Sequence, residues 1–138
     1  MNLLKDATVE HIGIAVKDLD QAVRVYRDLL GLPYEGEEKL ENIGIRMAFF
    51  PLDDTSIEFI EPKSMDSSVG RFIEKRGGGL HHICLRVPDL KAAMEELKGK
   101  GIKLADETPQ KGARGHMVAF LNLKSTEGVL VELLEEKK

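Results

Sequence analysis

Two stretches of this chain repeat one another, and an internal repeat limits the fold more than any other feature. Val9-Glu10-His11-Ile12-Gly13-Ile14-Ala15-Val16-Lys17-Asp18-Leu19 aligns with Leu80-His81-His82-Ile83-Cys84-Leu85-Arg86-Val87-Pro88-Asp89-Leu90. Each starts as a strand-like run, ends in Asp-Leu and leads into an amphipathic segment. In the first segment Leu19, Ala22, Val23, Tyr26, Leu29 and Leu30 fall on one helical face, and Gly31 stops the helix. In the second, Leu90, Ala93, Met94 and Leu97 do the same, and Gly101 follows. Asp18 and Asp89 stand at the N-cap, where a side-chain oxygen accepts from an otherwise unanswered backbone N–H of the first turn.

Further strands are expected after each helix. In the first half they cover residues 43–51 and 56–61, with a turn at Asp53-Asp54. In the second they cover 116–123 and 129–134, with a turn over 125–128. A short strand is expected before each pair, near 32–36 and 102–105. Each half therefore reads β-α-β-β-β. Module one spans about residues 7–62 and module two about 80–136. The linker, 63–79, holds a short helix over about 68–75 with Val69, Phe72 and Ile73 as its buried side, ended flexibly by Gly77-Gly78-Gly79. A module this small buries little core alone, so residues 1–138 are expected to form one domain of class α+β.

Composition excludes several functions. A net charge of −4 offers no basic footprint for nucleic acid or an acidic membrane. The apolar runs are strand-sized, too short for a transmembrane helix. The opening Met1-Asn2-Leu3-Leu4-Lys5-Asp6 lacks the apolar core of a signal peptide. Cys84 is the single cysteine, so no intrachain disulfide forms. These features suit a cytoplasmic enzyme acting on a small molecule.

Strand alternation sorts the repeat into faces. Ile12, Ile14 and Val16 form a branched face suited to packing on a helix, while His11 shares the other face with the small Gly13 and Ala15. In the second copy Ile83, Leu85 and Val87 form the packing face, and His82, rather than His81, falls on the face with Cys84 and Arg86. Ser56-Ile57-Glu58-Phe59-Ile60 matches Leu130-Val131-Glu132-Leu133-Leu134, placing Glu58 and Glu132 in equivalent positions between apolar neighbours. A carboxylate in such a place is costly unless paired or liganded. A single strand histidine is more often structural, and a single strand glutamate more often faces solvent. The matched set of two imidazoles and two carboxylates points instead to a divalent cation with open coordination positions. His116 has no repeat partner and reads as structural or substrate-facing.

With these motifs the chain resembles the vicinal-oxygen-chelate (glyoxalase-like) superfamily. The residues that carry this are the His11-Ile12-Gly13-Ile14-Ala15-Val16 opening, Gly79-Leu80-His81-His82-Ile83 and Gly128-Val129-Leu130-Val131-Glu132-Leu133. Within it the pattern resembles the methylmalonyl-CoA epimerase family, through Ile57-Glu58-Phe59-Ile60-Glu61-Pro62, Phe72 to His82, and Pro109-Gln110-Lys111-Gly112-Ala113-Arg114-Gly115. The resemblance implies paired βαβββ modules forming an incomplete eight-stranded barrel-like sheet around a metal cavity. It implies a homodimer, and His11, Glu58, His82 and Glu132 as ligands of one Co2+, Zn2+, Ni2+ or Mn2+ ion. The implied reaction interconverts (R)- and (S)-methylmalonyl-CoA, on the route between propionyl-CoA and succinyl-CoA. Glu132 is then the base at the edge of the coordination shell. Lys111 and Arg114, in a Gly-rich turn, are expected to meet the phosphates of the CoA thioester.

Two positions depart from the family pattern. Met47 stands where some epimerases carry a catalytic glutamate, so another group, a bound water or Glu132 alone has to serve the second face. Asn122-Leu123 replaces a frequent His-Pro pair, read as a neutral change at a loop edge. Lactoylglutathione lyase shares the ligand layout and is the nearest rival. A ring-cleaving dioxygenase uses two His and one Glu around Fe(II), which leaves Glu58 unexplained. A non-enzymatic small-molecule binder needs no such ligand set.

Overall fold

The computed structural model describes residues 3–136. These form two compact units, one running from His11 to His81, the other joining the chain up to Glu10 to the chain from His82 onward. No helix among the described residues is long and apolar enough to cross a membrane.

The first unit carries most of β1 (Thr8–Ala15), then α1 (Leu19–Val23), β2 (Glu37–Leu40), β3 (Ile45–Leu52), β4 (Thr55–Pro62) and α2 (Ser68–Arg76). Its strand order is β2-β3-β4-β1. β1 runs parallel to β4, with Gly13 opposite Glu58, and β3 runs antiparallel to β4, with Phe49 opposite Glu58. Residues opposite one another share a face. One face therefore presents Ile14, Ile57, Phe59, Ala48 and Phe50, and these close a core with Leu19, Ala22 and Val23 of α1. The Tyr26 ring lies 4.6 Å from Phe59, and Phe50 meets Phe59 edge-on at 5.5 Å.

The expected helix over 19–30 changes character midway. After α1 the chain takes a π-helical turn, Arg24–Leu29, in which the Leu30 N–H donates to the Val25 carbonyl at 2.8 Å. Bonding five residues back advances less rotation per residue than an α-helix does. Tyr26 stays on the core, but Leu29 and Leu30 turn to solvent, 64% and 61% exposed, and leave the apolar face assigned to them. The short strand expected over 32–36 is also displaced. Leu32 and Tyr34 fill the α1 core as irregular chain, and the strand forms later, at Glu37–Leu40.

The second unit carries β5 (Gly79–Val87) from His82 onward, α3 (Leu90–Gly99), β6 (Gln110–Lys111), β7 (Met117–Phe120) and β8 (Val131–Glu135), with strand order β5-β8-β7-β6. β5 is parallel to β8, with Cys84 opposite Glu132, and β7 is antiparallel to β8, with Phe120 opposite Glu132. Val87, Ala119, Leu121 and Leu133 close a core with Leu90, Ala93, Met94 and Leu97 of α3. Ile83, assigned to this packing face, is 37% exposed, so Leu85 and Val87 alone in β5 cover the helix. The strand expected over 102–105 reduces to one bridge, Leu104 with Leu121. Beyond it the Asp106 carboxylate accepts the Phe120 N–H at 2.8 Å, which ends the ladder there.

The caps form as the sequence indicates: Asp18 accepts from the Gln21 N–H and Asp89 from the Ala92 N–H. In the linker, α2 buries Ile73, half-buries Val69 and Phe72, and spans the expected residues plus one. The glycine run after it is defined rather than loose. Gly77 closes the helix at φ 78°, and a Cβ at Gly78, φ 101°, would stand 2.9 Å from the Ala15 carbonyl oxygen. Gly78 is therefore required for the linker to pass close to β1. Asn122 also has a structural task, accepting the Lys124 N–H to start the 3-10 turn Leu123–Ser125.

Candidate metal centre

In the first unit His11 and Glu58 reach one another diagonally across the β1–β4 pair, since their direct partners are Ser56 and Gly13. His11 Nδ1 lies 3.2 Å from Glu58 Oε2, and both residues are 4% exposed. Gly13 stands opposite Glu58 in β1 and puts no side chain there.

The second unit builds the same pair. His82 Nε2 lies 3.2 Å from Glu132 Oε1, with the residues 6% and 8% exposed. Cys84, in the place of Gly13, is fully buried opposite Glu132 and packs with Val118 and Leu134. The adjacent histidines separate as strand alternation requires: His82 is buried, while His81 is half-buried with its ring edge-on to Phe72 at 4.9 Å.

The residues around each pair are mostly apolar. In the first unit Met47, Phe49 and Ile60 share the face of Glu58, and Met47 is 5% exposed. In the second, Phe120, Val118 and Leu134 share the face of Glu132, and the Phe120 ring stands edge-on to His82 at 5.8 Å. Burying an ionised carboxylate in such surroundings is expensive without a cationic or hydrogen-bonding partner. Imidazole nitrogen and carboxylate oxygen, buried and adjacent, are a donor set that suits a first-row divalent cation, so the residues fit the metal the sequence implies. The two phenylalanines opposite the carboxylates were not singled out from sequence. The signal was present in the ladder register, which a single strand read alone does not carry.

Lys111, Arg114 and His116 all belong to the second unit. Lys111 ends β6 and is exposed opposite Met117. Arg114 is exposed at the tip of the following turn with φ 58°, and Gly115 follows at φ 76°. His116 is half-buried and lines a cleft of about 520 Å³ with Asp6, Thr8, Arg86 and Glu136. There Arg86 donates to Thr8 Oγ1 at 2.6 Å and lies 3.7 Å from Glu136.

Comparison with known proteins places this geometry. The glyoxalase/bleomycin resistance protein/dioxygenase superfamily matches residues 10–120. The chain belongs to that superfamily. Among relatives within the superfamily, it is 39% identical over 127 residues to the ethylmalonyl-CoA/methylmalonyl-CoA epimerase of Cereibacter sphaeroides, covering 91% of this chain and 95% of that protein. It is 38% identical over 126 residues to the mitochondrial methylmalonyl-CoA epimerase of Homo sapiens, covering 91% and 72%. A Streptomyces coelicolor methylmalonyl-CoA epimerase variant, solved in complex with 2-nitronate-propionyl-CoA, matches with a TM-score of 0.89 at 33% identity over 94% of each chain. Among the described residues, two βαβββ modules with eight strands and three α-helices make the vicinal-oxygen-chelate fold of this superfamily.

Proposed function

We propose that this chain is an isomerase that interconverts the (R) and (S) forms of methylmalonyl-CoA, with His11, Glu58, His82 and Glu132 together holding one divalent cation. The observation that carries the reading is the matched burial of one His–Glu pair per module at the same 3.2 Å separation. The epimerase relatives supply the substrate class.

The chemistry follows from acidity. The carbon between a thioester and a carboxylate holds its proton far more tightly than a carboxyl group, whose reference pKa is about 4. A bound divalent cation supplies Lewis-acid stabilisation of the negative charge that appears on the substrate oxygens, worth several kcal/mol. Each ~1.4 kcal/mol of such stabilisation is tenfold in rate. Glu132 takes the α-proton from one face, and the carbanion is reprotonated on the opposite face. Gly13 and Ala15 leave room for the substrate, and Phe120, Val118 and Leu134 keep water from the Glu132 carboxylate. Met47 has no exchangeable proton, so the second face of the carbanion is served by another group. Lys111 and Arg114 bind the CoA phosphates from their exposed turn, and the working form is a cytoplasmic homodimer.

Deuterium exchange into methylmalonyl-CoA in D2O tests the reading. The purified protein is expected to exchange the α-proton, to lose that activity to a chelator and to regain it with Co2+. Isomerisation of the methylglyoxal–glutathione adduct, with no exchange into methylmalonyl-CoA, transfers the assignment to lactoylglutathione lyase. A Lys111→Ala/Arg114→Ala double variant with an unchanged KM removes the phosphate role from that turn.

A further inference from the structure

A second pair of glutamates is related by the repeat, and neither residue belongs to the metal set. Glu61 lies three residues beyond Glu58 on β4, and Glu135 lies three beyond Glu132 on β8. An odd offset along a strand turns these side chains to the opposite face, toward the helices. There Glu61 Oε2 accepts the Leu19 N–H at 2.8 Å, and Glu135 Oε1 accepts the Leu90 N–H at 2.7 Å. Leu19 and Leu90 are the first residues of α1 and α3, the helices that directly follow the histidine strands β1 and β5.

The division of labour at each helix start is the same. Asp18 and Asp89 satisfy the third N–H of the helix, on Gln21 and Ala92. The first N–H is left over, as at any helix N-terminus, and the strand glutamate takes it in a charge-assisted bond favoured by the helix dipole. Each bond therefore fastens the strand bearing a site carboxylate to the exit of the strand bearing its histidine. In module one the Val16 N–H to Ile60 carbonyl bond closes the same end of the β1–β4 pair at 2.9 Å.

We infer that Glu61 and Glu135 are positioning residues that set how far Glu58 and Glu132 stand from His11 and His82, and so tune the cation site from its far side. This rests on the reading of the His–Glu pairs as a metal site. Outer groups that orient ligands commonly change metal affinity 10–100-fold when removed.

The test is titration of the metal-free protein with Co2+, followed by its visible absorption bands. Glu61→Ala and Glu135→Ala are expected to bind Co2+ about tenfold more weakly, with shifted bands. Glu61→Gln and Glu135→Gln keep a carbonyl acceptor and are expected to return both toward wild type. Glu107→Ala, on the exposed surface, serves as the control. Thermal unfolding of each metal-free variant separates a purely structural tie, which lowers the melting temperature and leaves the bands in place. If an alanine variant does not fold, Glu→Asp gives the same information, since its shorter carboxylate either pulls the strand and shifts the bands or leaves them untouched. Alanine or aspartate variants with wild-type affinity and bands overturn this inference alone. A wild-type protein that takes up no Co2+ overturns the metal reading and this inference together.

Discussion

Module one and module two share one plan but spend their side chains differently. Both bury a His–Glu pair, both set a phenylalanine opposite the glutamate, and both close the helix start with an aspartate and a second glutamate. Around that common frame the positions diverge. Arg46, opposite Glu61, bonds Glu61, Asp20 and Glu37, and the hydrogen bonds to Asp20 and Glu37 hold its guanidinium above the ordinary arginine range. Its counterpart opposite Glu135 is Met117, 38% exposed. Gly13 and Ala15 in β1 correspond to Cys84 and Arg86 in β5, and Met47 corresponds to Val118. The positions that stay matched are those that fix the imidazole and carboxylate. Gly13, Ala15 and Met47, against Cys84, Arg86 and Val118, differ on the faces that carry the pairs, whereas Arg46 and Met117 differ on the helix-facing side.

The largest expected difference between the modules is catalytic. Glu132→Gln in the metal-loaded protein is expected to lower turnover about 10²–10⁴-fold, the usual range for a positioned base. Glu58→Gln, which keeps an oxygen donor, is expected to act mainly on Co2+ affinity. Equal losses of turnover at full metal loading would make the two glutamates equivalent and break the asymmetry. Core truncation comes next. Phe59→Ala, at the centre of the module-one aromatic cluster, is expected to cost about 3–5 kcal/mol, and Leu133→Ala in module two about 2–5 kcal/mol. Urea unfolding checks both, and one shared transition shows that the modules unfold as one cooperative body. Smaller still are the caps: Asp18→Ala and Asp89→Ala should each cost about 1 kcal/mol. A Tm fall for Asp89→Ala alone would show that the short α1 draws its stability from packing. Met47→Leu should matter least, leaving kcat unchanged in the exchange assay, because neither side chain can move a proton; a large fall would give Met47 a role in shaping the cavity.

Much of this was legible before any coordinates. The repeat defined both modules, and period-two alternation set His82 and the adjacent His81 on opposite faces; the first ring is buried and the second half-buried. The caps were legible because an N-cap bond spans only three residues. The missed features share a cause. A helical-face argument assumes hydrogen bonds four residues back, so it could not foresee the π turn that carries Leu29 and Leu30 to solvent. Leu32 and Tyr34 look like strand residues by pattern, yet the α1 core takes them. Glu61 and Glu135 find their helix partners 42 and 45 residues away, a distance no local pattern reports.

The sequence by itself determined the duplicated module, the strand faces and the residue types that can hold a cation, because alternation and capping are local and repeat with the chain. Only the tertiary structure decided which phenylalanine stands over which carboxylate, where the helical turn widens and which glutamates fasten strand to helix. Those depend on register between segments far apart in the chain, and register is set by the packing of a whole face at once.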